Sequence, residues 1–311
     1  MAKLLHGIDS LSSAPGPSAV SIGNFDGVHL GHQQVINSLL ENSKRLDVCP
    51  TVITFEPLAK EFFRPGSVAR LTSLQQRSEL MFELGVEVVI CLPFTAAFAA
   101  MSAEDFVLAI LVDALQTRYL SVGDDFRFGK GRAGDFPMLQ SMGAEHGFEV
   151  FSHETFTVDG ERVSSGRVRA ALQADQLAAA AALLGRAYSI SGTVVQDQQL
   201  GRTLDFPTAN IPLEFDVAAA QGVYAVRARL ASGRRCEGVA NIGNRPTVDG
   251  SENRLEVHLF DFDGDLYGQS MDVELCAKIR AEQKFDSIEQ LKQQIARDAA
   301  QARRYFVENS H

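Results

Sequence analysis

The sequence predicts an α/β N-terminal domain, built as a doubly wound parallel sheet, followed by a C-terminal antiparallel β-barrel with a terminal helix. Three observations predict it. Over residues 1–185, short apolar runs alternate with stretches of helical spacing, the pattern of a parallel sheet covered by helices. From Tyr188 onward the helices give way to recurring short strands separated by turn residues, as in a barrel. The length of 311 residues suits two domains, each with its own core.

The elements follow in order. Ala19–Ile22 is a short strand ending at Gly23, and Val35, Ile36, Leu39 and Leu40 share one face of a helix over 33–46. Thr51–Phe55 is a β-branched strand stopped by Pro57. Leu74–Leu84 is a helix capped by Thr72 or Ser73. Val86–Leu92 is the third strand, Ser102 opens a helix to about Gln116, and Tyr119–Val122 is the fourth strand. The alanine-rich stretch Gln173–Leu184 is a helix capped by Gly185 and closes the first half. Five strands follow: Tyr188–Val195, Val223–Leu230, Cys236–Ile242, Leu255–Phe260 and Met271–Ile279. A last helix from Ser287 to about Val307 carries Ile288, Leu291, Ile295 and Ala299 on the face expected to pack on the barrel. The domains are therefore expected at 1–185 and 186–311.

Composition excludes several classes. Hydrophobic residues make up 45% and charged residues 22%, which opposes a disordered or disulfide-scaffold chain. A formal net charge of −10 argues against a nucleic-acid partner. The N-terminal MAKLLHGIDSLSSAPG lacks a signal-peptide apolar core, and no apolar stretch reaches bilayer length. A cytoplasmic enzyme is expected, without a membrane partner, as a monomer or weak homo-oligomer. The four cysteines form no C-x-x-C pair, so neither a zinc knuckle nor a redox motif is expected.

In a doubly wound sheet, ligands bind beyond the carboxyl ends of the strands. The first such end carries Gly23-Asn24-Phe25-Asp26-Gly27-Val28-His29-Leu30-Gly31-His32. Gly23 and Gly27 permit tight turns, and the helix start offers N–H groups and a positive dipole end. Phosphate suits such a place. Two histidines three apart also fit a metal or a structural helix start. The preceding strand and the flanking glycines favour phosphate.

That string resembles the nucleotidylyl transferases through its H-x-G-H. In full it is similar to the N-terminal module of the prokaryotic bifunctional riboflavin kinase/FAD synthetases. Thr54-Phe55-Glu56-Pro57, Arg70-Leu71-Thr72, VGDDFRFG at 122–129 and VSSGRVRAAL at 163–172 agree, in family order. The resemblance implies FMN adenylyltransfer, in which FMN attacks the α-phosphate of ATP, giving FAD and pyrophosphate. It places His29 and His32 as donors to phosphate. Ser164, Ser165 and Arg169 fall in a second phosphate motif, and Asp125 lies near the reacting phosphates. Gly23, Phe25 and Gly31 would lie against the nucleotide. Phe62 and Phe128 are candidates for the flavin side, with a place in the core as the alternative for each. Two departures stand out: Gly166 replaces a common Thr, and Leu58-Ala59 replace a polar residue and a second proline.

The second half carries Gly201-Arg202-Thr203-Leu204-Asp205-Phe206-Pro207-Thr208-Ala209-Asn210. By itself Pro-Thr-x-Asn is an ordinary turn string. In this order it resembles the riboflavin kinase signature, with GVYAVRARL at 222–230, GVANIGNRPTV at 238–248, LEVHLFDFDGDLYG at 255–268 and KIRAEQKF at 278–285. The resemblance implies ATP-dependent phosphorylation of riboflavin to FMN. Thr208 and Asn210 would help hold Mg²⁺ and the ATP phosphates, with Gly201 nearby, because neutral oxygens suit a hard cation. Glu256 matches the catalytic carboxylate. Alternation puts Glu256 and His258 on one face of their strand. Arg280 is read either as a flavin or phosphate contact or as half of a surface ion pair. Asp261 and Asp263 are read as turn acids. Asp197 and Asp205 stand where the family commonly has glycine. They motivate an alternative in which the chain makes FAD only and the kinase module is weakened.

Overall fold

The computed structural model describes residues 2–196, 206–215, 217–247 and 250–309. Gly201, Asp197 and Asp205, and the expectations attached to them, lie outside these residues. The chain forms two compact units: Met1–Val68 with Arg77–Ser164, and Ala69–Gln76 with Ser165–His311.

The first unit is a six-stranded parallel sheet. Its strands are β1 (Lys3–His6), β2 (Ser18–Ile22), β3 (Cys49–Glu56), β4 (Val88–Pro93), β5 (Tyr119–Gly123) and β6 (Glu149–His153), ordered β1-β4-β3-β2-β5-β6. The chain works outward from β2 through β3 to β4, then starts again at β5 on the other side of β2. In sheets of this kind ligands bind beyond the carboxyl ends of the strands where the order reverses, here β2 and β5. The segments after those strands are the GNFDG turn and the VGDDFRFG string.

Adjacent residues point to opposite faces, and both faces are buried. Ala19, Val52, Val89 and Tyr119 pack with Ile36 and Leu39 of α1 (Leu30–Leu46) and Met81 of α3 (Leu74–Leu84). Their neighbours Val20, Ile53, Ile90 and Leu120 pack on the other face with Phe106, Ile110, Leu111 and Leu139. Such two-sided burial explains why these strands read as continuous apolar runs. The short helices α2 (Ala59–Phe63) and α4 (Ala96–Ala99) follow β3 and β4. The helix expected from Ser102 divides in two: α5 (Ala103–Phe106) passes into π-helical turns over Val107–Ala114. Asp135 caps α6 (Phe136–His146) by accepting from the Met138 N–H at 3.0 Å.

The sequence reading assigned four strands here; the two it lacked, β1 and β6, are the sheet edges. β6 alternates exposed and half-buried residues, because an edge strand covered on one face has no continuous apolar run. Two short strands, β7 (Thr157–Val158) and β8 (Glu161–Arg162), make a hairpin after β6.

In the second unit, the expected helix Gln173–Leu184 starts later, as α8 (Leu177–Leu184), and Gln173 instead ends a preceding helix, α7 (Ser165–Gln173). The chain breaks between them at Asp175, whose φ is 59°. Gly185 caps α8 in the left-handed conformation, as expected. The antiparallel strands are β9 (Ser189–Thr193), β10 (Ala209–Pro212), β11 (Gly222–Leu230), β12 (Arg235–Thr247), β13 (Gly250–Leu259) and β14 (Ser270–Arg280), ordered β10-β13-β12-β11-β14-β9. A bridge between Val195 and Asn210 brings the two edges together, so the sheet is nearly closed. Gly192 allows the approach: a Cβ there would overlap the Ile211 side chain.

Ile211, Ile242, Leu255 and Val257 fill one face of this sheet with no exposed surface. The opposite face carries Val223, Ala225 and Val239, packed with Ala299, Ala302 and Phe306 of α9 (Ile288–Glu308). The expected apolar stripe on α9 is displaced toward its carboxyl end. Ile288 is 66% exposed, and Ala302 and Phe306 continue the stripe one and two turns past Ala299. Asp298 is buried beside them.

Candidate active sites

In the first unit the turn after β2 is held in an unusual shape. Phe25 and Val28 both have positive φ, 48° and 41°, with Gly27 at 83° between them. Side chains resist this region, so surrounding contacts must enforce it. Phe25, Asp26 and Val28 are buried. Thr54 Oγ1 donates to the Asn24 carbonyl at 3.2 Å, and Gln33 Nε2 donates to the Val28 carbonyl at 2.9 Å.

His29 is the N-cap of α1, and its Nδ1 accepts from the His32 N–H at 3.3 Å. The two imidazoles stack with centroids 3.6 Å apart and planes 14° from parallel, and Phe25 lies 5.1 Å from His32. Gly31 lies tight against the stack: a Cβ there would sit 3.3 Å from the His29 ring. A Cβ on Gly23 would likewise come within 3.1 Å of the Phe25 ring. The motif thus resolves into two imidazoles side by side on the first turn of a helix. A helix start of this kind, with its positive dipole end, is chemically suited to an anion.

The other candidates of this unit are dispersed. Asp125 is exposed after β5 and accepts from Arg162 Nη2 at 3.1 Å, while Asp124 accepts from Thr155. Phe128 is buried in the sheet core, 5.6 Å from Phe106 and 5.5 Å from Phe126. Phe62 is half-buried and meets Phe63 and Phe94 at 5.2 and 5.4 Å. Phe94 continues to Phe98 and Phe55, so an aromatic cluster follows the carboxyl ends of β3 and β4. Its outermost member, Phe63, is 66% exposed. Sequence reading passed over Phe63, which ends α2, and Phe94, which directly follows β4.

Ser164 precedes α7 in the first unit, whereas Ser165 and Arg169 belong to the second. Arg169 Nε donates to the Ala69 carbonyl at 2.7 Å, which fixes the plane of its guanidinium. The Arg70-Leu71-Thr72 string is tied to the same unit. The Arg70 N–H donates to the Val217 carbonyl, and Tyr188 donates its hydroxyl to Leu71.

The kinase candidates form a row across three strands. Asn210 of β10 lies opposite Glu256 of β13, and Glu256 lies opposite Asn241 of β12. Residues directly opposite share a face, so all three side chains lie together on the face that carries α9. Asn210 is buried and donates its side-chain N–H to the Thr208 carbonyl at 3.3 Å, which leaves the amide oxygen as its acceptor end. Asn241 is a neighbour that sequence reading missed. A Cβ on Gly243 would overlap the Glu282 carboxylate, which therefore also approaches this row.

His258 shares the face with Glu256, as the alternation requires. Its Nδ1 donates to the Pro207 carbonyl at 2.9 Å, and its ring meets Phe206 at 5.3 Å. It anchors the strand entry that carries Thr208. Arg280 grips Asp298 with Nε and Nη2, at 2.8–3.1 Å, and Gln294 donates to the same carboxylate. It is thus half of an ion pair. Asp261 accepts two bonds from Arg303, which hold its carboxyl below the usual range.

Oxygen donors of the Thr208, Asn210 and Glu256 kind fit a hard divalent cation that keeps most of its waters and phosphate ligands. Among the described residues there is no cluster of three or more His, Cys, Asp or Glu that would hold a metal without substrate. No helix among them is long and apolar enough to cross a membrane.

Comparison with known proteins decides between the readings. The FAD synthetase family model matches residues 11–167, and the riboflavin kinase family model matches 184–306. A protein of Escherichia coli (strain K12) named bifunctional riboflavin kinase/FMN adenylyltransferase is 48% identical over 98% of both chains. This chain belongs to that family. A Haemophilus influenzae relative of the same name is 43% identical over 98% of this chain and 99% of its own. A solved structure described as a macrolide-efflux protein from Streptococcus pneumoniae aligns over 99% of each chain, with TM-score 0.74 and 27% identity. Both family models are matched in one chain. The chain is a two-module transferase, and a bifunctional enzyme is favoured over one that makes FAD alone.

Proposed function

We propose that residues 186–311 phosphorylate riboflavin to FMN and that residues 1–185 adenylylate FMN to FAD, in the cytoplasm, with Mg²⁺ serving both steps. One arrangement carries the adenylyltransfer half: the stacked His29–His32 pair on the first turn of α1. Adenylyl transfer needs no covalent nucleophile. It needs two phosphates held in line and charge on the leaving pyrophosphate stabilised. His29 and His32 donate to that charge. Ser164, Ser165 and Arg169 supply a second set of donors, for which the planar guanidinium of Arg169 is suited. Gly23, Phe25 and Gly31 let the backbone approach the nucleotide. Asp125 is assigned to orienting the reacting phosphates. Phe62 is assigned to the flavin ring, and Phe128 to supporting that wall from the core.

For the kinase half, the supporting arrangement is Asn210 and Asn241 on either side of Glu256. Glu256 accepts the proton of the ribityl 5′-hydroxyl as the hydroxyl oxygen attacks the γ-phosphate, whose bond to the β-phosphate oxygen breaks so that ADP leaves. Thr208 and Asn210 hold the cation–phosphate assembly. When bound, Mg²⁺ neutralises charge on the phosphates. The protein works as a monomer or a weak homo-oligomer, with riboflavin, FMN and ATP as its ligands and without nucleic acid or membrane.

The experiment is a product assay on the full chain with riboflavin, ATP and Mg²⁺. Both FMN and FAD should form. FAD formation only when FMN is supplied would overturn the kinase half, and FMN accumulation without FAD would overturn the other.

A further inference from the structure

One fully buried charge lies outside every role assigned so far. Arg77 of α3 has no exposed surface. Its Nη1 donates to the Asn24 carbonyl at 3.0 Å, and its Nη2 lies 3.3 Å from the Phe55 carbonyl and 3.4 Å from Glu56 Oε2. One guanidinium thus ties the turn after β2 to the end of β3. Glu56 is 34% exposed, so its ion pair with Arg77 contributes little to stability. Its geometric effect is clearer. Thr54 donates to the same Asn24 carbonyl, so that oxygen is held from two sides.

A trans peptide points its C=O and N–H in opposite directions, and the Asn24–Phe25 bond is not among the cis bonds of the chain. Holding the Asn24 carbonyl toward Arg77 therefore turns the Phe25 N–H away from the core. The same contact helps keep Phe25 at its φ of 48°. A cation on the carbonyl also polarises the peptide and strengthens its N–H as a donor.

We propose that Arg77 is a positioning residue for adenylyl transfer, holding the Asn24–Phe25 peptide so that the Phe25 N–H donates to the phosphates of the nucleotide. The proposal rests on the reading of the 23–32 turn as the adenylyltransfer site. Arg77 touches no substrate; it acts through one peptide group.

The test uses full-length Arg77→Met, Arg77→Lys, Thr54→Val and His29→Ala. Three quantities are read: kcat and KM for FAD formation from FMN and ATP, FMN formation from riboflavin, and the Phe25 amide shift on adding α,β-methylene ATP. Arg77→Met should lower kcat/KM for FAD formation about 100-fold, the scale of a misplaced donor, and abolish the Phe25 amide shift. FMN formation by the same molecules should stay within about twofold, which marks the loss as local. Arg77→Lys should recover about tenfold, since an ammonium reaches one carbonyl where the fork reaches two. If Arg77→Met does not fold, Arg77→Lys and Thr54→Val carry the comparison, each with a loss of about tenfold and a reduced shift. If His29→Ala abolishes FAD formation while the Arg77 variants keep full kcat/KM or the parent amide shift, the proposal is overturned. If His29→Ala itself leaves FAD formation intact, the site reading fails and the proposal with it.

Discussion

His29→Ala separates the structural from the chemical role of the first motif. The structural loss is small and follows from two contacts. The cap bond from the His32 N–H is long, at 3.3 Å, so its removal costs at the low end for an N-cap, about 0.5 kcal/mol. The stack on His32 at 3.6 Å contributes about another 0.5 kcal/mol. A total near 1 kcal/mol lowers the melting temperature of a domain this size by about 2–4 °C. The chemical loss is larger. Removing one preorganised donor to developing charge costs about 100- to 1,000-fold in kcat, roughly 3–4 kcal/mol. Initial rates of FAD formation from FMN and ATP, measured at 25 °C alongside FMN formation from riboflavin and a thermal melt, give all three quantities. FAD formation should fall at least about 100-fold while FMN formation holds. A loss below about tenfold, or an equal fall in both activities, refutes the assignment of His29 to phosphate.

Glu256→Gln keeps the shape of the row but removes the proton acceptor, so FMN formation should fall about 100- to 10,000-fold while FAD formation from supplied FMN continues. Equal losses in both assays would show the two sites to be dependent. Asp298→Ala leaves the Arg280 guanidinium without its carboxylate; the side chains are 5% and 21% exposed, so the second unit should lose about 3 kcal/mol in urea unfolding. A loss under about 1 kcal/mol would mean that Arg280 finds another partner. His153 is buried, its Nε2 lies 2.7 Å from Ser121 Oγ, and burial lowers its pKa. Its folded state therefore binds a proton less readily than the unfolded chain. The stability this gives the first unit is complete above the unfolded value of about 6.5 and is lost as pH falls below it. Melting temperatures from pH 7.5 to 5 should show that acid-side loss, and His153→Gln should flatten it; an unchanged slope sinks the assignment.

Much of the fold was legible because burial leaves a simple imprint on sequence. β2, β3, β4 and β5 are buried on both faces, so they read as unbroken apolar runs between helices. β13 is buried on one face and reads as strict alternation from Leu255 to Leu259. Edge elements lacked the imprint. β6 exposes two of its five residues and half-buries two more, and β10 hides within a string that reads as a turn. The break between α7 and α8 rests on one residue, Asp175, in a conformation that helical periodicity does not report. The site divides in the same way. His29 and His32 were legible because one helical turn sets their spacing. The row of Asn210, Glu256 and Asn241 was not, because strand register joins Glu256 to residues 46 and 15 positions before it.

The sequence by itself determined the two modules, the strand–turn–helix carrying the histidines, and the shared face of Glu256 and His258. All are consequences of local period and turn chemistry. Tertiary structure decided what each polar group is for. It turned His258 to Pro207, Arg280 to Asp298 and Arg77 to the Asn24 carbonyl. A side chain's partner is set by which distant backbone packs against it, and no local pattern encodes that.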